Sequence, residues 1–221
     1  MRLSKKDLFI KNTLLMSVVA IFMRTAGVWF SIFLSQKRGE DGGGLYTLIM
    51  SVSGFAVTFA TSAVGFAATR LVSEAIGRSQ CSSIRVCMKK CISYALFFGT
   101  LAAALLFFPS RYIGGGFLGD ERCVRSLRIL ALSLPAIALS SSINGYFTAV
   151  RRVTKSAFSG ILEQMTRIFA TMGLVTLFVP SDIEIACSLV VLGSVISDYI
   201  GLLINLILYL CDLKRHIGRT Q

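Results

Sequence analysis

Six apolar stretches, each close to the length of a membrane-crossing helix, divide this chain, and no other feature constrains its fold as strongly. A helix needs about 20 mostly apolar residues to cross the hydrocarbon layer of a bilayer. The runs cover residues 14–34, 45–69, 91–108, 129–150, 157–179 and 185–211. Inside that layer the backbone must satisfy its own polar groups, so runs of this length and composition become helices. Of the 221 residues, 54% are hydrophobic and 15% charged, against about 25% charged in a soluble domain. The expected fold is all-α: an integral membrane helical bundle of six transmembrane helices in a single unit, with the lipid bilayer as its first partner.

The net charge of +12 does not point to nucleic acid, because the basic residues sit in short segments between the apolar runs. Six spans place both termini on one side, and the connections alternate. Arg2, Lys5, Lys6 and Lys11 share their side with Arg70, Arg78, Arg85, Lys89, Lys90, Arg151, Arg152, Lys155, Lys214, Arg215 and Arg219, fifteen in all. The other side carries six: Lys37, Arg38, Arg111, Arg122, Arg125 and Arg128. An excess of Lys and Arg marks the cytoplasmic side, so both termini are expected in the cytoplasm of a multi-pass cell-membrane protein. The apolar run after the basic start has no small-residue cleavage site and reads as a retained first span. Pro109 and Pro180 close the third and fifth runs. Pro135 lies inside the fourth, where it removes the hydrogen bond to the carbonyl of Ala131 and predicts a bend. Residues 181–184 form a capping box ahead of the sixth run. Gly42–Gly44 and Gly114–Gly116 read as outside turns.

Three ionisable side chains fall near the middle of these runs. At 1.5 Å per residue, Arg24 and Arg167 lie about 15 Å into their helices and Asp198 about 20 Å. A charge at a helix centre costs roughly 2.5–3.5 kcal/mol even on insertion scales, so such residues face a polar interior. Glu163 and Arg167 stand at i and i+4 on one face, in the favourable order, and are expected to form a structural ion pair. Arg24 has no acid within reach on its own helix, so it faces another helix, water or a ligand. Asp198 is either its counter-charge or a proton or cation site. Ser140, Asn144 and Thr148 share one face of the fourth run, as do Gly54, Thr58 and Ser62, and Thr61, Gly65 and Thr69, in the second. Small residues permit close helix packing in lipid; the competing role is to line a polar cavity, for which Arg24, Asn144 and Asp198 are the candidates.

Nothing points to catalysis. The chain has no HExxH, GxSxG or phosphate-binding loop. Its six cysteines form no CxxC pair and its one histidine, His216, lies in the basic tail, so no metal site and no cofactor are expected.

Several stretches together resemble one family. They are residues 9–15 (FIKNTLL), 24–27 (RTAG), 44–50 (GLYTLIM), 67–77 (AATRLVSEAIG), 144–148 (NGYFT) and 159–168 (SGILEQMTRI). This is similar to the amino-terminal part of the stage V sporulation protein B and polysaccharide biosynthesis family. That family belongs to the multidrug/oligosaccharidyl-lipid/polysaccharide flippase (MOP) superfamily, with MATE-type transporters and MurJ-like lipid II flippases. The resemblance implies two six-helix lobes around a central cavity. It also implies alternating access, and a lipid-linked, pyrophosphate-bearing sugar as substrate. Arg24 matches the first-span arginine that faces the cavity in the lipid II branch. Two departures stand out. A proline usual near Met50–Ser51 is absent, and the second six-span lobe is missing, which reads as a fragment or a truncated product. The alternatives are a cation- or proton-coupled multidrug exporter lobe, which would use Asp198 more than Arg24, and a non-transporting membrane scaffold. A membrane enzyme is a weak fourth.

Overall fold

Every described element is helical, and no strand occurs among the described residues. The computed structural model describes residues 46–61, 64–78, 81–117, 119–178 and 183–217, with scattered helical positions between 14 and 44. After the helical stretch 46–61 come α1 (Val64–Gly77), α2 (Cys81–Phe107), a single π-helical turn (Tyr112–Phe117), α3 (Cys123–Ala131), α4 (Leu134–Ala149), α5 (Val153–Phe178) and α6 (Ile183–Ile217).

α4 is the hub: it packs against α1, α2 and α6, and more lightly against α5. α5 runs along α6, and α3 bridges α2 to α6. Glycine sets the closest approaches. A Cβ on Gly145 of α4 would stand 2.5 Å from the carbonyl oxygen of Gly65 on α1, and one on Gly99 of α2 would stand 2.8 Å from the Cα of Pro135. The Thr69 hydroxyl donates to the carbonyl of Gly145 at 3.1 Å, so the stripe Thr61, Gly65, Thr69 serves helix packing. Ser62 lies outside the described residues.

The core is largely apolar and holds several polar side chains, and unlike a soluble protein the bundle is apolar on its rim as well. Phe55, Phe108 and Leu177 are 78%, 81% and 81% exposed, while Ser142, Ser197, Asp198, Asn205 and Asp212 are buried. Apolar side chains on the rim and polar ones within suit a lipid surround. Among the described residues, three helices are long and apolar enough to cross a membrane: Tyr46–Gly77, Ile84–Phe107 and Glu184–Leu213. A fourth joins them if α3 and α4 count as one bent span. α5 has the length, at 26 residues, but Glu163, Gln164 and Arg167 interrupt its apolar run. The first expected span lies mostly outside the described residues, as do Ser181 and Asp182 of the capping box.

The bend expected at Pro135 is present. α3 and α4 meet at 42°, with Pro135 in the first turn of α4. Just before it the helix tightens: the Leu132 amide donates to Ile129 and the Ser133 amide to Leu130, three residues back instead of four. The Tyr199 hydroxyl of α6 donates to the Leu132 carbonyl at 2.9 Å, so the break is pinned from outside.

The helix edges differ from the apolar runs. The fourth run begins at Ile129, whereas α3 begins at Cys123. Cys123, Ser126, Leu127, Leu130 and Ala131 are buried at helical spacing, and Arg125 and Arg128 face outward. In the same way α2 starts at Cys81 rather than Cys91, with Met88 buried between exposed basic residues. Gly114–Gly116 lie in the π-helical turn rather than an open loop.

Candidate functional site

A cleft of about 250 Å³ opens between α4, α5 and α6, lined by Ile137, Ser140, Ser141, Asn144, Glu163 and Asp198. α4 supplies a short polar patch because Ser140, Ser141 and Asn144 fall on neighbouring positions of one helical face. The Asn144 Oδ1 accepts a hydrogen bond from Ser156 on α5 at 3.0 Å, which fixes the side-chain amide. Thr148, the third member of that stripe, is exposed and donates back to the Asn144 carbonyl.

Glu163, Arg167 and Asp198 form the charged part of the site. The Arg167 Nη2 lies 3.1 Å from Glu163 Oε1, on its own helix, and 2.9 Å from Asp198 Oδ1, across on α6. Asp198 is 8% exposed, Glu163 28% and Arg167 33%. The Arg167 Nε is buried without a partner. One guanidinium thus serves two carboxylates, and with all three ionised the group carries one net negative charge. Depth follows from helix rise: Glu163 lies ten residues into α5, about 15 Å, and Asp198 fourteen residues beyond Glu184, about 21 Å. Both sit far from the helix ends.

Two small residues on α6 bring this network together. The Ser197 hydroxyl donates to the Glu163 carbonyl at 2.7 Å. A Cβ on Gly201 would lie 2.7 Å from Glu163 Oε2, so only glycine leaves the carboxylate its place. The Ser133 hydroxyl, at the α3–α4 bend, donates back to the Leu130 carbonyl at 2.9 Å.

The structure thus brings Asn144, Glu163, Arg167 and Asp198 together. It does not bring Arg24 to them: Arg24 is exposed and is not among the residues lining the cleft. The counter-charge of Asp198 is Arg167, not Arg24.

A second polar cluster, not expected from the sequence, lies at the far end of α6. Asp212 is fully buried and accepts from Arg152, from Lys155 at 2.5 Å and from the Tyr146 hydroxyl at 3.2 Å. Tyr146 packs edge-on against Tyr209, with ring centroids 4.9 Å apart. The α4–α5 turn that delivers Arg152 contains Arg151 at φ +57°. The cluster fixes the α4–α5 turn to the end of α6. Its signal in the sequence is a lone acid next to a basic tail.

The chain matches the family of polysaccharide biosynthesis proteins over residues 9–217. It belongs to that family. It is 27% identical over 198 residues to stage V sporulation protein B of Bacillus subtilis (strain 168), covering 90% of this chain and 38% of that protein. It is 23% identical over 166 residues to sporulation protein YkvU of the same organism, covering 72% of this chain and 34% of that protein. The chain therefore spans little more than a third of the length of either relative. No solved structure matches it significantly. Family membership and the exposed apolar helices agree on a multi-pass membrane protein.

Proposed function

We propose that the chain is one lobe of a flippase that carries a lipid-linked, pyrophosphate-bearing sugar across the cytoplasmic membrane by alternating access. A second six-span lobe completes the cavity, and both termini face the cytoplasm. The observation that carries this reading is the cleft of Ser140, Ser141, Asn144, Glu163 and Asp198 within the bundle of a polysaccharide biosynthesis family member. Hydroxyls, an amide and carboxylates are the groups that exchange hydrogen bonds with sugar hydroxyls. The pyrophosphate needs a cation, and we assign that role to Arg24, which stands outside this cleft: a guanidinium contacts two phosphate oxygens at once, where lysine acts as a point charge. The hydrocarbon tail stays in lipid, beside the apolar rim.

The test is complementation of a flippase-deficient strain by the full-length protein, with detergent-extracted yield as the measure of folding. Arg24→Lys is expected to fold and to complement poorly; Arg24→Ala is expected to fold and not to complement. Normal folding with undiminished complementation by Arg24→Ala removes the pyrophosphate role. A second reading, a cation- or proton-coupled exporter lobe, is favoured by the surplus carboxylate around Arg167. It requires Asp198→Asn to abolish transport while Arg24→Ala spares it.

A further inference from the structure

At the end of the bundle where α6 begins, a larger cleft of about 740 Å³ is lined by Arg111, Arg125 and Arg128, with Glu121 and Glu184 beside them. We propose that this cleft binds the phosphodiester headgroup of a membrane lipid that carries hydrogen-bond donors, such as phosphatidylglycerol or phosphatidylethanolamine.

Depth is the first argument. Glu184 and Asp212 stand 28 residues apart on α6, about 42 Å. The hydrocarbon core is about 30 Å thick and about 40–45 Å with its headgroup layers. The two ends of α6 therefore reach the two headgroup layers, and the arginine cleft lies at the level of lipid phosphates whichever way the bundle faces.

The second argument is that one guanidinium is held ready. Arg128 Nε donates to the buried Ser110 hydroxyl at 3.0 Å. The same guanidinium lies over the Phe107 ring, 5.7 Å from its centroid. One edge and one face are thus occupied. The terminal nitrogens make no ion pair among the described residues. An arginine that merely reaches for water at a membrane surface has no need of such fixing. Arg125 stands one turn earlier on α3 and adds a second guanidinium at i−3. Arg111 comes from a separate segment, just before the π-helical turn. Neither pairs with a carboxylate among the described residues, although Glu121 and Glu184 line the same space.

Charge chemistry then selects the ligand. Three guanidiniums suit a phosphodiester, which accepts paired N–H bonds. The two carboxylates would repel a bare phosphate, but they accept from an ammonium or from glycerol hydroxyls. Phosphatidylcholine has the phosphate and lacks the donors. The inference stands apart from the transport reading, because it uses neither the central cleft nor Arg24.

The test is native mass spectrometry of the detergent-purified full chain with phosphatidylglycerol, phosphatidylethanolamine or phosphatidylcholine at equal concentration. A charge-assisted contact is worth enough that losing one should lower retention about tenfold. The expected result is selective retention of the first two lipids. Arg125→Gln and Arg111→Gln should lose it by about that factor while keeping the wild-type melting temperature. Arg78→Gln, which breaks an exposed pair with Glu74, should keep it. Inorganic pyrophosphate should displace the bound lipid less well than short-chain phosphatidylglycerol. Equal retention of all three lipids, or undiminished retention in both arginine variants, overturns the proposal. Displacement by pyrophosphate at lower concentration than by short-chain lipid assigns the cleft to a soluble phosphate and overturns it too.

Discussion

Arg167 holds carboxylates on two helices through a single nitrogen, so its loss differs from the loss of either partner. Arg167→Ala strands both Glu163 and Asp198, and removing one side of a buried pair costs roughly 3–5 kcal/mol. A third of the arginine side chain is exposed, so the lower end, about 3 kcal/mol, is expected. Glu163→Gln leaves the Asp198 contact in place and should cost about 1 kcal/mol. Thermal melts of the detergent-purified variants check the order; equal melting of Arg167→Ala and wild type removes the network. Spacing alone predicts that Glu163→Gln with Arg167→Met restores stability. The structure predicts that it does not, because Asp198 stays unpaired until it too becomes Asn. That difference marks what the sequence could reveal about the site. The i, i+4 relation of Glu163 to Arg167 is a property of one helix and can be read from spacing. The meeting of Arg167 with Asp198 depends on how α6 is rotated against α5, which spacing along the chain does not encode. Gly201 and Ser197, which bring the two helices to that rotation, carry no charge or motif to draw notice.

Small residues on the helices act in two opposite ways. Gly145 faces the backbone of Gly65, which cannot move aside, whereas Gly173 on α5 has nothing within 4 Å of an added Cβ. Gly145→Ala should therefore force α1 from α4 and cost about 1–3 kcal/mol, as overpacking does. Gly173→Ala should gain about 0.5–1 kcal/mol from helix propensity alone. Opposite shifts in melting temperature are the expected result, and a fall for both would mean that Gly173 is also a contact. Of the elements themselves, the apolar centres were legible in the sequence because lipid imposes a composition on them. Their ends were not. α3 extends six residues beyond its apolar run because Cys123, Ser126 and Leu127 bury one face while Arg125 and Arg128 turn outward. A hydropathy run averages those two faces and stops too soon. The bend was legible, since proline deletes a specific hydrogen bond, but its pinning by Tyr199 was not.

At the scale of the whole molecule, the fifteen-to-six distribution of basic residues predicts which way the bundle faces. Gly116 is exposed with open space around it, and Thr154 is exposed near the start of α5. In a background without native cysteines, a membrane-impermeant maleimide added to intact cells should label Gly116→Cys and spare Thr154→Cys. The reverse pattern inverts the bundle. α5 has a further consequence, for biosynthesis. Insertion of a lone helix is governed by its own partition between translocon and lipid, and each central arginine or acid weighs against it by about 2.5–3.5 kcal/mol. α5 carries Glu163 and Arg167 and falls outside the helices apolar enough to cross unaided. The strongly apolar α6 emerges from the ribosome just behind it. α5 alone is therefore expected to insert poorly in a glycosylation-reporter assay, and α5 followed by α6 to insert as a pair.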